Sequence, residues 1–364
     1  MITIGDIAAA IEEFAPVALQ ESYDNAGLQV GDPHAEAKAA LLCIDITEEI
    51  IDEAIERGAN MVVSHHPLIF RGLKRITGRT PIERIVARAI KHGIALYAAH
   101  TNMDSAIGGV SAHAASKIGM TDVELLAPQS GKLLKIVTFV PHSHSQAVKE
   151  AMWAAGAGRI GNYESCSYTM QGTGTFRALD GASPFVGAIG ELHSEPEERV
   201  EVIVPVWRKD SVLQAMRSVH PYEEPAFDVL ALGNDAPWGF GVVGNIAPEP
   251  AIEFLARVKR IFNVGAISYS GPDVKQPVTR VAFCGGSAAE LIGDAIAAGA
   301  QLFITGDVKY HDFTSHNHRI IIANIGHYES EQFTKEIFFD VIRKKFPNFA
   351  TYYSEKERNQ INYL

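Results

Sequence analysis

The sequence predicts an α/β protein: a duplicated α/β layered domain, discontinuous along the chain, with an inserted ferredoxin-like α+β domain. Three observations predict it. Strand and helix signals alternate through the first third, a segment near the start recurs near the end, and the stretch between them carries a shorter repeat of its own.

In chain order, Leu41 to Ile44 reads as a short apolar strand, Thr47 to Arg57 as a helix capped by Thr47, and Met61 to Val63 as the next strand after Gly58. Pro81 to Lys91 follows as a helix, Gly93 as its stop, and Ile94 to Ala98 as a third strand. Strands that alternate with helices imply a parallel sheet with right-handed crossovers. Residues 41–66 then lie without gaps on 282–307: Cys43 meets Cys284, Glu49 meets Glu290, and Gly58-Ala59 meet Gly299-Ala300. In the middle, Val140-Pro141 matches Val204-Pro205 and Ala151-Met152 matches Ala215-Met216, each a strand ending in Pro followed by a helix. Further strands are expected at Tyr163 to Met170 and Phe227 to Leu232. Strand-helix-strand twice over is the split βαβ order of a ferredoxin-like sandwich. The predicted domains are 1–128 and 236–364, the two halves of one α/β domain, and 129–235, the insertion.

A chain of 364 residues exceeds what one core usually supports, about 250–300 residues, which agrees with this division. Lys and Arg number 32 against 43 Asp and Glu, a net charge of −11 that disfavours nucleic acid and anionic lipid as partners. The densest basic run, Arg343 to Lys345, reads as the solvated end of a helix. Cys43, Cys166 and Cys284 are widely spaced and form no Cys-x-x-Cys, which supports neither a disulfide framework nor a thiolate zinc site and fits a reducing compartment. Met1 to Pro16 reads as an amphipathic helix, not a signal peptide, and no apolar stretch reaches the length of a membrane span. A cytoplasmic protein is expected.

Three segments carry the candidate chemistry, each just past a strand, where open α/β sheets put their ligand sites. They are Ser64-His65-His66-Pro67, His100-Thr101-Asn102-Met103-Asp104, and His327-Tyr328-Glu329-Ser330-Glu331. Adjacent side chains on extended chain diverge, so His65 and His66 together need two ions, or one ion and a turn. If His327 opens a helix, Glu331 at i+4 shares its face. Imidazole plus carboxylate without thiolate suits zinc, manganese or iron, and a carboxylate can bridge two ions. Such a pair lowers the pKa of a bound water and clamps substrate oxygens, which is hydrolytic chemistry. The alternative is a metal that only staples the two halves together.

Those segments, with Tyr23-Asp24-Asn25-Ala26-Gly27-Leu28-Gln29-Val30-Gly31 and Thr305-Gly306-Asp307-Val308-Lys309-Tyr310-His311, resemble the GTP cyclohydrolase type 2 homologue family, also called NGG-one-interacting-factor-three-like. The middle resembles the longer bacterial members, whose insert is similar to the PII and CutA folds. Tyr163 to Cys166, Gly172 to Phe176, and His220 to Ala226 stand where that insert's motifs would be. The resemblance implies two divalent ions per chain, held by His65, His66, Asp104, His327 and Glu331, with Asp104 and Glu331 as bridges. It also implies a toroidal homohexamer whose openings the insert covers, and a small-molecule substrate. His100 then faces the substrate or supports the ligands.

Other residues keep two readings. Asp307, aligned on His66, and His311 are either supports and substrate contacts or a capping Asp and a loop His. Lys309 and Tyr310 would suit an anionic substrate, or Tyr310 packs. Asn25 reaches the site, or the turn it sits in needs Gly27. Cys284-Gly285-Gly286-Ser287 reads as a strand-to-helix turn whose glycines serve tight packing, and His142 and His144 as histidines beside a helix capped by the neighbouring serines. Two functions follow. One is a metal-dependent hydrolase of a small anionic or nucleotide-like substrate, with His100 or His311 moving a proton. The other is a non-catalytic metal-binding regulatory or assembly protein with a ligand-sensing insert.

Overall fold

The computed structural model describes residues 1–316 and 318–364. The chain divides into two compact units, Met1–Pro128 with Trp238–Leu364, and Gln129–Pro237.

In the first unit the local signals act as expected. The Thr47 hydroxyl accepts from the Ile50 N–H at the start of Glu48–Arg57, and Gly58 ends that helix in the left-handed region at φ 66°. Thr80 and Pro81 open Pro81–His92, and Gly93 closes it in the same way. The strands between them form a five-stranded sheet in the order Gly27–Val30, Ala95–Ala98, Met61–Ser64, Ala39–Cys43, Ala350–Tyr353. All neighbours are parallel except the first pair.

Both faces of this sheet are covered, which is why its strands read as unbroken apolar runs. Leu42, Val63 and Tyr97 pack with Ile7, Ile11 and Phe338 on one face. Leu41, Val62 and Leu96 pack with Ile50, Ile51 and Ile85 on the other.

The second sheet has six strands, in the order Ser268–Ser270, Ile321–Asn324, Leu302–Gly306, Pro277–Ser287, Gly239–Pro250, Thr121–Pro128. Pro277–Ser287, Leu302–Gly306 and Ile321–Asn324 run parallel and repeat the layout of the first sheet. The last strand of the chain, Ala350–Tyr353, closes the first sheet, and Thr121–Pro128 of the first half edges the second. Each half therefore lends a strand to the other's sheet. Among the described residues no helix is long and apolar enough to cross a membrane.

The second unit runs strand, helix, strand, strand, helix, strand: Leu133–Pro141, Ser145–Ala154, Tyr168–Arg177, Leu192–Pro205, Lys209–Val219, Phe227–Ala231. Its antiparallel sheet has the order Tyr168–Arg177, Leu192–Pro205, Leu133–Pro141, Phe227–Ala231, which is ferredoxin-like. Val200, Val202 and Val204 meet Val148, Met152, Val212 and Met216 of the two helices in one core.

Three local expectations are corrected. The second strand of this unit begins at Tyr168, not Tyr163, because Gly158, Gly161 and Ser165 at positive φ turn the preceding chain. No serine side chain caps Ser145–Ala154. His144 occupies the cap without a side-chain bond, while Ser145 gives its hydroxyl to Glu198, which also pairs with His142. Gly285 and Gly286 lie inside the strand Pro277–Ser287, not in a turn into a helix.

Candidate metal centre

The carboxyl ends of the parallel strands in the two sheets deliver the site. His65 and His66 follow Met61–Ser64, and Asp104 lies on the short helix Thr101–Ser105 that follows Ala95–Ala98. His327 opens the helix His327–Glu331, so His327 and Glu331 share a face as the i+4 spacing requires. His65 is fully buried and the Glu331 side chain is 3% exposed.

Glu331 holds the centre of the arrangement. Its Oε1 lies 3.5 Å from His65 Nε2, and Asp104 Oδ1 lies 3.7 Å from the same nitrogen. Its Oε2 lies 3.0 Å from His66 Nε2 and 3.2 Å from His327 Nε2. Two triads result, His65 with Asp104 and His66 with His327, each completed by a different oxygen of one carboxylate. In both triads the ligand-type atoms lie within 4.8 Å of one another, and His65, His66 and His100 form a third such group. His65 and His66 thus belong to different triads, as adjacent side chains on extended chain must.

The far nitrogen of each imidazole is already engaged. His65 Nδ1 meets the Ala99 carbonyl at 2.9 Å, His66 Nδ1 meets Asp45 at 2.8 Å, and His327 Nδ1 meets Asp307 at 2.6 Å. These acceptors fix Nδ1 as the protonated nitrogen and turn each Nε2 lone pair inward. His66 Nε2 and His327 Nε2 then face each other at 3.3 Å, and two lone pairs in that position repel unless a proton or a cation lies between them. His65 Nε2 and Asp104 Oδ1 are buried with no hydrogen-bond partner, a cost that a bound cation removes. The donor set of imidazole and carboxylate therefore fits divalent ions of the borderline class.

Two glycines make room. A Cβ on Gly286, whose φ is +67°, would collide with Glu331 Oε1 and lie 3.7 Å from His327 Nε2, and one on Gly285 would lie 3.2 Å from Glu331 Cγ. They serve packing, as the sequence suggested, but against the ligand helix itself.

Charge follows geometry. Burial alone would raise the Glu331 carboxyl, but the nearby His65 charge and the bonds from His327 and His66 hold it well below the usual range. Burial works against charge on His66, yet Asp45 and Glu331 push it up to about 10. Glu331 and Asp307 likewise raise His327 to about 9 against its burial. Burial raises Asp104 to about 6. Near neutral pH His66 and His327 of the metal-free site therefore carry protons that an ion must displace. Metal binding is expected to release protons and to weaken steeply as pH falls through these values. Calorimetric titration in buffers of different ionisation enthalpy reads the release directly, and a heat independent of buffer would contradict it.

Of the remaining candidates, His100 stands at the site, its ring centroid 5.3 Å from that of His65 and 5.4 Å from that of His66. Its Nδ1 pairs with Asp24 at 2.9 Å. Asp307 is the hydrogen-bond partner of His327 Nδ1, the position that the support reading gives it. Asn25 does not contact the ligands; its Nδ2 donates to the Ile69 carbonyl at 2.6 Å and holds the loop after His66. Lys309, Tyr310 and His311 are exposed at the start of Tyr310–Ser315, where the Tyr310 and His311 rings meet at 5.4 Å. His311 and Asp104 are not brought together with His327, and Asp104 joins only the His65 triad.

Sequence reading missed Asp24, Asp45 and Glu357. Asp24 binds the Thr101 N–H at 3.0 Å as well as His100. Asp45 follows the strand Ala39–Cys43 and so stood at a strand end, the signal that could have found it. Glu357 accepts from the Ile44 N–H and the Tyr328 hydroxyl and pairs with Lys335, tying the neighbours of Asp45 and His327 together. The Glu357 and Lys335 side chains are 4% and 17% exposed. Glu357→Ala strands the lysine and is expected to cost about 3 kcal/mol. The urea midpoint at unchanged slope checks it, and a loss below about 1 kcal/mol would contradict it.

The family model for Duf34/NIF3 (NGG1p interacting factor 3) matches residues 2–360. The chain belongs to the Duf34/NIF3 family. Among curated Duf34/NIF3 relatives, the "GTP cyclohydrolase 1 type 2 homolog" of Halalkalibacterium halodurans is 40% identical over 303 residues, 82% of this chain and 81% of the relative. The protein of the same name from Bacillus subtilis is 36% identical over 368 residues, 98% of each chain. The crystal structure of a Bacillus cereus protein related to NIF3 superposes with a TM-score of 0.86 at 34% identity and covers 100% of both chains.

Asp307→Ala frees the His327 ring in this Duf34/NIF3 protein. It is expected to lower metal affinity about 10- to 100-fold, as loss of a carboxylate behind a ligand histidine does. Competition with a chromogenic chelator measures this, and an unchanged affinity would remove Asp307 from its role.

Proposed function

We propose that this Duf34/NIF3 protein binds two divalent ions, zinc, manganese or iron, and acts as a metal-dependent hydrolase on a small anionic or nucleotide-like substrate. The observation that carries the reading is the division of Glu331: one oxygen completes the His65 and Asp104 triad, the other the His66 and His327 triad. His65 and Asp104 would hold one ion, His66 and His327 the other, with Glu331 shared. Divalent ions in such a pair lower the pKa of bound water and polarise substrate oxygens. Ala99, Asp45 and Asp307 keep the three imidazoles turned inward. His100, steadied by Asp24, is within reach of both His65 and His66 to take or give a proton. Lys309, Tyr310 and His311 are the proposed substrate contacts. The names of the curated relatives support nucleotides as the first substrate class to assay.

The same reading includes a toroidal homohexamer in the cytoplasm, with a PII/CutA-like insert over its openings. Support for the assembly comes from the family resemblance, and for the insert from its sheet order. Light scattering after size exclusion tests the assembly, and a monomer would remove it.

Activity is tested by loading the protein with each metal and assaying phosphoesters, nucleotides and cyclic amides beside Asp104→Ala. Turnover by the wild type that Asp104→Ala abolishes is the expected result. A full metal load without turnover on the whole panel would overturn the hydrolase reading in favour of a metal-holding regulatory protein.

A further inference from the structure

The inserted unit contains a cavity of about 920 Å³, within the range of small-molecule sites. It lies on the sheet face turned away from the helices. Val200, Val202 and Val204 point to the helix core, so the alternating Glu197 and Arg199 line the other side.

The floor is built around a carboxylate. Gly172 and Gly174 stand in register with Glu197 and Glu195. A Cβ on Gly174 would collide with the Glu197 carboxylate, while one on Gly172 would meet nothing within 4 Å. Two glycines on a strand are otherwise unfavourable, and here they let the Glu197 side chain lie across the strand and leave the space above it open. Glu197 is 7% exposed. Its Oε1 accepts from the Tyr222 hydroxyl at 2.7 Å. No cation pairs with it among the described residues, because the nearby Arg199 gives its Nε to Glu201 and lies over the Phe139 ring.

Aromatic rings form the walls. Tyr222 lies 6.2 Å from Phe176 and 6.4 Å from Phe185, centroid to centroid. The strap that carries Phe185 is tied down by the Ser183 N–H, which donates to Glu223 at 2.9 Å.

A buried carboxylate without a counter-charge is costly, and rings around it attract positive charge through their faces. The lining sets Glu197, Glu223 and Glu224 against Arg177 and Arg199, a balance that favours a cation over an anion, and among the described residues no group of ligand-type atoms there lies close enough together to hold a metal ion. We propose that this cavity binds a small organic cation, an ammonium or guanidinium group on an apolar stem. Its N–H groups meet Glu197, and Phe176, Phe185 and Tyr222 enclose it. The site is independent of the metal centre.

The test is calorimetric titration of the full chain with agmatine and with spermidine, with citrate as an anionic control. Saturable binding of at least one cation, one per chain, and none of citrate is expected. Glu197→Gln keeps the volume and the Tyr222 bond and should weaken binding at least tenfold. Gly172→Leu, whose Cβ would meet nothing within 4 Å, puts a side chain into the open space and should abolish binding while the thermal midpoint stays unchanged, so the test survives if the Glu197 variant fails to fold. Binding of neither cation, or binding that both variants leave intact, would overturn the proposal.

Discussion

Glu331→Ala is expected to strip the protein of both proposed ions at once, the largest effect of any substitution among the proposed ligands. Among the described residues the carboxylate is the only group that touches both triads through separate oxygens. Its removal takes a ligand from each side and the negative charge that makes room for cations among His65, His66 and His327. Loss of His327 or Asp104 alone should cost chiefly the ion on its own side. Glu331→Gln, with the volume kept and the charge gone, should behave nearly as badly as Ala, since a neutral amide neither bridges ions nor balances them. Elemental analysis of the purified variants reads this directly. Glu331→Ala protein that retained one tightly bound ion would show that the carboxylate serves one side only.

Gly286→Ala is expected to damage metal binding almost as severely without touching a ligand. A non-glycine residue at φ +67° costs about 1–2 kcal/mol. The greater harm is the new Cβ, which would collide with Glu331 Oε1 and displace the shared carboxylate. A shift of even half an ångström spoils a coordination geometry. Affinity for the proposed ion beside His65 and Asp104, where Glu331 Oε1 lies, is expected to fall by about two to three orders of magnitude, or roughly 3–4 kcal/mol. Gly293→Ala is the control: it sits in the helix Ile292–Ala297, its Cβ would meet nothing within 4 Å, and metal binding should not change. Equal binding by the two variants would show that the ligand helix has slack at this point.

Gly286 also marks where the sequence stopped being informative. The five proposed ligands were readable because they follow three strands, His65 and His66 at the end of the detected repeat and Asp104, His327 and Glu331 after strands beyond it. Of the carboxylates behind the histidines only Asp307 was readable; Asp45 and Asp24 were not, because they reach their histidines from positions distant in sequence. Asp45 reaches His66 across 21 positions and Asp24 reaches His100 across 76. Periodicity says nothing about such pairs.

The duplication explains part of the difficulty. Under the shift that lays 41–66 on 282–307, Asp45 falls on Gly286 and His66 on Asp307. In the first half the strand ends supply an orienting carboxylate and a ligand. In the second half the same positions supply the space for Glu331 and the orienting carboxylate for His327. The fold repeats while the roles move, so a residue's place in the repeat did not give its task.

The layer order and the ferredoxin-like topology were accessible for the opposite reason: they depend on local caps, glycine stops and apolar runs. The exchange of Thr121–Pro128 and Ala350–Tyr353 between the sheets was not, since edge pairing is decided by long-range register. Exposed His311 takes a position that motif proximity did not give. It is four residues beyond Asp307, yet a helix start intervenes and leaves its ring on Tyr310.

The most direct test of a centre shared through Glu331 is diffraction from metal-soaked crystals with data collected at the absorption edge of the ion. Two anomalous peaks per chain are predicted, one beside His66 and His327 and one beside His65 and Asp104, with a Glu331 oxygen on each. A single peak at full metal load, or two peaks with Glu331 on only one of them, would contradict it.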